Sequence, residues 1–189
     1  MSAEEGNGSA NGSALRRLVG LLREQGGLMA TLVAADAPED LFSNNAPGPA
    51  QTAAAGPRTR HDRDEYELLM ETIYEGYLLH YGAGRVIAPA EADLGLLAGD
   101  RLYALGLARL VTLGDTEAVA ELADTITLSA LAQAANEPEL ARAVWEAGAR
   151  AVGWGSSDAH ANAKRLAFAR APEAIEAMRT SAAGVPASP

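Results

Sequence analysis

Four carboxylates, Asp64, Glu67, Glu71 and Glu75, follow one another at intervals of three and four residues in "DRDEYELLMETIYEGYLLHYG". On a helix that spacing aligns them in one stripe. Two carboxylates one turn apart could hold a divalent cation, since Mg²⁺ takes carboxylate oxygens together with phosphate ligands. The same stripe is also what the solvated face of an amphipathic helix looks like, opposite Leu69, Ile73 and Tyr77. The solvated face is the expectation, with Glu67, Glu71 and Glu75 as the metal-ligand alternative.

Four of the five tyrosines lie on this helix, and Tyr74, Tyr77 and Tyr81 share a side. A tyrosine row could line an apolar pocket, but it more commonly fills a core or an interface, with hydroxyls reaching the edge. Packing is therefore expected of these three and of Tyr103. The histidines, His61, His80 and His160, are far apart and none has metal-ligand spacing. No nucleophile-elbow pattern is present, and "GAG" (82–84) and "GWG" (153–155) read as helix stops rather than phosphate-cradling loops. No catalytic and no cofactor-binding residue is expected.

Asp100 stands within the nearly apolar "LLAGDRLYALGLARL", among Leu94, Leu96, Leu97, Leu102, Leu105 and Leu107. Too few polar residues surround it to solvate a full face, which predicts a largely buried helix. A buried carboxylate needs a partner. Asp93 shares its side of the helix, and Arg85 or Arg101 could supply the charge.

The elements that must position these residues are all helical. Residues 1–13 are polar, low-complexity Gly/Asn/Ser and predict a disordered tail. Residues 14–25 form a short amphipathic helix, with Leu15, Leu18, Val19 and Leu22 on one face, stopped by Gly26 and Gly27. At that length it needs a surface to dock on. Residues 26–61 read as a mostly irregular linker, 62–183 as an antiparallel bundle of about six helices, and 184–189 as a second tail. Stops fall at Gly82, Gly84 and Gly114, and a restart at Asp115. Asn136 and Glu139 fit a capping box around Pro138. No segment shows strand alternation, so the class is all-α.

Composition narrows the functions. A formal net charge of −10 disfavours nucleic acid and anionic membrane surfaces, both of which need clustered cations. With no cysteine there is no disulfide, thiolate metal site or cysteine nucleophile. No signal segment and no membrane-length apolar run is read, so a cytoplasmic protein without an integral membrane segment is expected.

"LLAGDRLYALGLARLVTLGD" resembles the helix of trans-prenyltransferases, the polyprenyl diphosphate synthases, that carries A-x-L-A-G-D-x-L-x-A-x-A. Leu97, Ala98, Gly99, Asp100, Leu102 and Ala104 match in place, and "AVAELADTITLSALAQ" continues in the style of that family's next helix. The resemblance covers residues 62–155. It implies a truncated isoprenoid-synthase bundle, a family fold that joins isopentenyl diphosphate to an allylic diphosphate. Catalytic members hold Mg²⁺ between two D-D-x-x-D motifs and use a G-K-R element for the second diphosphate. This chain departs on each: only Glu67, Glu71 and Glu75 precede the A-G-D helix, no second aspartate-rich motif follows, and "TRHDRD" is no G-K-R.

The chain is in this respect similar to the non-catalytic small subunit of heptaprenyl diphosphate synthase. That likeness implies a regulatory subunit without its own cofactor, pairing with a catalytic prenyltransferase subunit that carries the Mg²⁺. Association with itself as a homo-oligomer is the other partner expected. Two alternatives stand beside it: a helical interaction module unrelated to prenyl transfer, and a degenerate metal-dependent diphosphate-binding enzyme. Gly99 and Asp100 are expected to serve structure, so Asp100→Ala should cost stability.

Overall fold

The computed structural model describes residues 9–34 and 48–184, with side chains from Ala14 onward. Among these residues all regular structure is helical apart from one antiparallel bridge between Val33 and Ile87. Nine helices follow in order: α1 (Ser9–Gln25), α2 (Gly27–Leu32), α3 (Pro49–Ala54), α4 (Arg63–Tyr81), α5 (Ala92–Leu113), α6 (Thr116–Ala134), α7 (Pro138–Trp154), α8 (Asp158–Phe168) and α9 (Ala174–Ala183). None of them is long and apolar enough to cross a membrane. Six of these, α4–α9, lie within residues 62–183, where about six were expected; α1 answers to the short helix expected at 14–25, and α2 and α3 lie in the segment read as a mostly irregular linker.

The chain forms two compact units. The first comprises residues up to Gln51 together with Asp64–Arg109, the second Thr52–Arg63 with Leu110 onward.

In the first unit α1 begins at Ser9, within the stretch expected to be tail, while residues 1–8 lie outside the described part. Leu15, Leu18 and Leu22 are fully buried, and they pack with Met29, Leu32, Leu68, Val86, Ile87, Ala98 and Leu102. A surface helix with so short an apolar face is stable only when docked. Here the dock is its own chain. The Ala34 amide donates to Val86 O at 2.9 Å and the Ala88 amide to Leu32 O at 2.9 Å, pinning the segment after α2 against the one before α5.

α4 and α5 cross closely. A Cβ on Gly99 would stand 3.0 Å from Gly76 O and 2.7 Å from His80, and one on Gly106 would overlap Ile73. Gly95, Gly99 and Gly106 lie on one side of α5, so their missing side chains form the groove that α4 fills.

The second unit packs α6, α7, α8 and α9 around Leu128, Leu140, Val144, Ala147, Ala163, Ala167 and Met178. Alanines on facing sides allow close helix approach, and Gly148 receives the Thr125 side chain. Residues 52–61, part of the segment read from sequence as linker, are held against the end of α7. Gly56 meets the backbone of Gly153 with no room for a Cβ. The Arg58 amide donates to Gly153 O at 3.0 Å and its guanidinium to Val152 O at 2.7 Å.

Helix ends follow the sequence with one correction. Asp115 caps α6 by accepting from the Ala118 amide at 3.0 Å, and Pro138 occupies the first turn of α7. Asn136, however, is not the N-cap of α7. It sits at φ 59° and closes α6, with its amide on Gln133 O and the Glu137 amide on Ala132 O. Those two bonds make a Schellman ending, for which asparagine is the usual substitute for glycine. Glu137 then precedes α7 without a side-chain cap. The expected C-terminal tail, beyond Gly184, lies outside the described residues.

Candidate functional site

The carboxylate stripe of α4 does not face solvent. Glu67, Glu71 and Glu75 are 5%, 2% and 0% exposed, which overturns the solvated-face expectation. Each is bound to groups brought from elsewhere in the first unit. Arg17 of α1 donates to Glu67 at 3.1 Å. The Gln51 amide reaches Glu67 at 3.3 Å and Glu71 at 3.2 Å. Arg85 donates to Glu71 at 2.6 Å and to Glu75 at 3.1 Å. Glu75 Oε1 further accepts the successive amides of Arg85, Val86 and Ile87 at 2.7, 2.8 and 3.1 Å. Three adjacent N–H groups form an anion-binding nest, and the chain fills it with its own carboxylate.

Burial works against the Arg85 charge, but Glu71 and Glu75 outweigh it and hold the guanidinium pKa above its ordinary value. Only Asp64, 86% exposed at its side chain, stays in water, 3.5 Å from Arg17. Among the described residues no three His, Asp or Glu side chains are gathered as metal ligands. The ladder from Arg17 to Glu75 is thus a buried charge network, with cations and amides occupying carboxylate oxygens that a metal would require.

The aromatic residues form an edge of the same unit. Tyr74 stacks on Tyr77 at 5.8 Å, and Tyr77 meets Tyr81 at 5.3 Å with the rings tilted by 43°, from buried Tyr77 to exposed Tyr81. Arg85 lies over Tyr74 at 5.2 Å, a cation–π contact joining this row to the ladder. His80 stacks on Tyr103 at 5.3 Å, nearly parallel, across the gap left by Gly99. Burial raises the Tyr103 phenol, so it stays protonated at any ordinary pH.

Within the A-G-D motif, Ala98 is buried and Gly99 permits the crossing, but Asp100 is 71% exposed at its side chain. This corrects the expectation of a buried Asp100 paired with arginine. Its neighbour is His80 Nε2 at 3.2 Å, out of line for a hydrogen bond. The physical reason is the glycine groove: α5 turns its small residues inward, so Leu96 (45% exposed), Leu97 (59%) and Asp100 project outward. The expectation that this helix is largely buried fails with it.

The second unit contains a cluster that spacing in the sequence did not single out. His160, 3% exposed, is bound at both ring nitrogens: Nδ1 lies 2.7 Å from Ser181 Oγ and Nε2 2.7 Å from Glu121 Oε1. Lys164 Nζ bridges Glu121 and Asp124, at 2.8 Å to each. Burial would raise the Glu121 carboxyl, but hydrogen bonds and charge from His160 and Lys164 hold it below its ordinary value. Lys164, likewise opposed by burial, is raised by Asp124 and Glu121.

Ser157 caps α8, its Oγ accepting from the His160 amide at 3.2 Å, and this sets His160 in the first turn. Beside the cluster opens a cavity of about 410 Å³ bordered by Arg150, Trp154, Ser157, Asp158, His160 and Ser181. The Ser157 cap and Lys164 one turn beyond His160 were visible as local signals. Glu121 and Ser181 lie 39 and 21 positions from His160, and only packing brings them together.

Compared with models of known protein families, with curated proteins and with solved structures, the chain gives no match.

Proposed function

We propose that this chain is a non-catalytic helical subunit that associates with a catalytic polyprenyl diphosphate synthase and supports isoprenoid chain elongation there. The reading rests on the A-G-D helix and its outward face. The residues of the motif that pack inward make the crossing with α4, while Leu96 and Leu97 beside them stay in water. Leu28 of α2, 51% exposed, joins Leu97 at a surface hollow of about 390 Å³ that Met29, Ala98 and Arg101 also border. Clustered exposed leucines of this kind are a docking signal. Mg²⁺ and the diphosphate chemistry belong to the partner in this reading. The α4 carboxylates, where an aspartate-rich motif would precede the A-G-D helix, are committed to Arg17, Gln51 and Arg85 instead.

Co-expression with a catalytic polyprenyl synthase from the same source tests it by size-exclusion chromatography. A stable mixed complex is expected for the wild type and none for the Leu28→Asp/Leu97→Asp double variant, whose circular dichroism should be unchanged. Absence of a mixed complex with the wild type overturns the reading. Self-association lost in the same variant would favour an interaction module that pairs with its own copies.

A further inference from the structure

The geometry points to a second function, independent of the first unit: Ser181, His160 and Glu121 form a nucleophile–base–carboxylate relay that hydrolyses short-chain carboxylic esters in the adjoining cavity. A serine nucleophile needs a base within hydrogen-bond reach and a third group that orients the base. Both distances, Ser181 Oγ to His160 Nδ1 and His160 Nε2 to Glu121 Oε1, are 2.7 Å. The base and the carboxylate are buried, at 3% and 7% exposure, while Ser181 is only partly covered and borders the cavity.

In the neutral imidazole, a single ring proton shared with the Glu121 carboxylate through Nε2 leaves Nδ1 as the lone pair facing the Ser181 hydroxyl, the arrangement a general base needs. Three different helices, α6, α8 and α9, supply the three groups. The relay is therefore positioned by tertiary packing rather than by a flexible loop.

The chemistry balances without a cofactor. Ser181 Oγ attacks the ester carbonyl carbon as its proton passes to His160 Nδ1. The carbon–oxygen bond to the leaving alcohol breaks, and the same proton leaves with the alkoxide. Water attacks the acyl-serine, giving a proton to Nδ1, and the carboxylic acid departs as Ser181 recovers its hydrogen. Glu121 is a positioning residue throughout, stabilising the imidazolium through Nε2–H.

Asp158 and Ala159, in the first turn of α8, where backbone N–H groups lack intrahelical carbonyl partners, also border the cavity. Arg150, stacked over Trp154 at 4.6 Å, supplies a cationic wall. A cavity of about 410 Å³ suits a small ester and not a long acyl chain.

The full-length protein is treated with a fluorophosphonate, digested and mapped by mass spectrometry, and p-nitrophenyl acetate turnover is followed in parallel. Ser181 should carry the phosphonate, and Ser181→Ala should lose at least tenfold in turnover. That substitution removes one partly exposed hydroxyl, so folding is preserved and is checked by circular dichroism. Glu121→Gln should lower kcat with KM nearly unchanged, whereas a purely structural role would leave both unmoved in protein that remains folded. Failure to label Ser181, or turnover unaffected by Ser181→Ala, overturns the proposal and leaves the cluster as a helix staple.

Discussion

Both units bury carboxylates from a long helix, yet they use them differently. In the first, Glu75 is enclosed, its oxygens taken by one guanidinium and three backbone amides. In the second, Glu121 divides its oxygens between a lysine and a histidine, and the far nitrogen of that histidine reaches a serine beside a cavity. Arginine keeps its proton and amides are fixed, so the first arrangement can only hold shape. Histidine and serine can exchange a proton, so the second can also act. Burial of charge by itself therefore does not separate a staple from a site; the protonation chemistry of the partners does.

The strongest way to break this contrast is at Glu75. Glu75→Ala takes one of two carboxylate partners from Arg85, leaving it only Glu71, and leaves the amides of Arg85, Val86 and Ile87 without their acceptor inside the first unit, a loss of about 3–5 kcal/mol for a broken buried pair. Urea unfolding should show it as a large fall in midpoint, and a change below 1 kcal/mol would remove Glu75 from its central place.

A smaller effect is expected in the second unit and should depend on pH. Glu121 titrates below its ordinary value when folded. Its stabilisation is therefore complete above the unfolded carboxylate pKa, about 4.5, and is lost as pH falls through the lower folded value. Glu121→Gln should cost about 1.5–3 kcal/mol at neutral pH, the range for hydrogen bonds to charged groups. Wild type and variant should converge as the pH is lowered below 4.5 and through the folded value, when thermal midpoints are compared at each pH. A gap that stays constant with pH would show that the carboxylate charge contributes nothing. Lys164, raised by its partners, has the opposite sign: its contribution is present below its ordinary value of 10.5 and is lost as pH climbs through the higher folded one.

The smallest effect belongs to Asp100. Exposed and only loosely beside His80, it should change stability by no more than about 0.5 kcal/mol on replacement by alanine. A loss above 1 kcal/mol would restore the sequence-based expectation that it is a buried, partnered group.

Periodicity predicted α4, the capped start of α6 and the proline start of α7, because each is a local pattern of apolar spacing and end signals. It failed wherever a face had to be assigned an inside and an outside. The α4 helix has apolar residues on one side and carboxylates on the other, which reads as core and solvent. Arg17, Gln51 and Arg85, from three separate segments, turn the second side inward as well. On α5 the leucines read as core, but the crossing with α4 is built from glycines, which carry no hydropathy signal to mark a buried face. The candidate relay was hidden for a similar reason. His160 has a readable cap and a lysine one turn on, while its two hydrogen-bond partners, Glu121 and Ser181, sit on other helices.

The sequence alone therefore determined the all-α class seen in the described residues, the main helix stops, the absence of thiol chemistry and the docking need of α1, since these follow from side-chain type and short-range spacing. Only the tertiary structure decided which charges are buried, which leucines stay in water, and that a histidine, a serine and a glutamate meet at a cavity. Those depend on contacts between residues tens of positions apart, and helical periodicity orders the faces of a helix without naming what will lie against them.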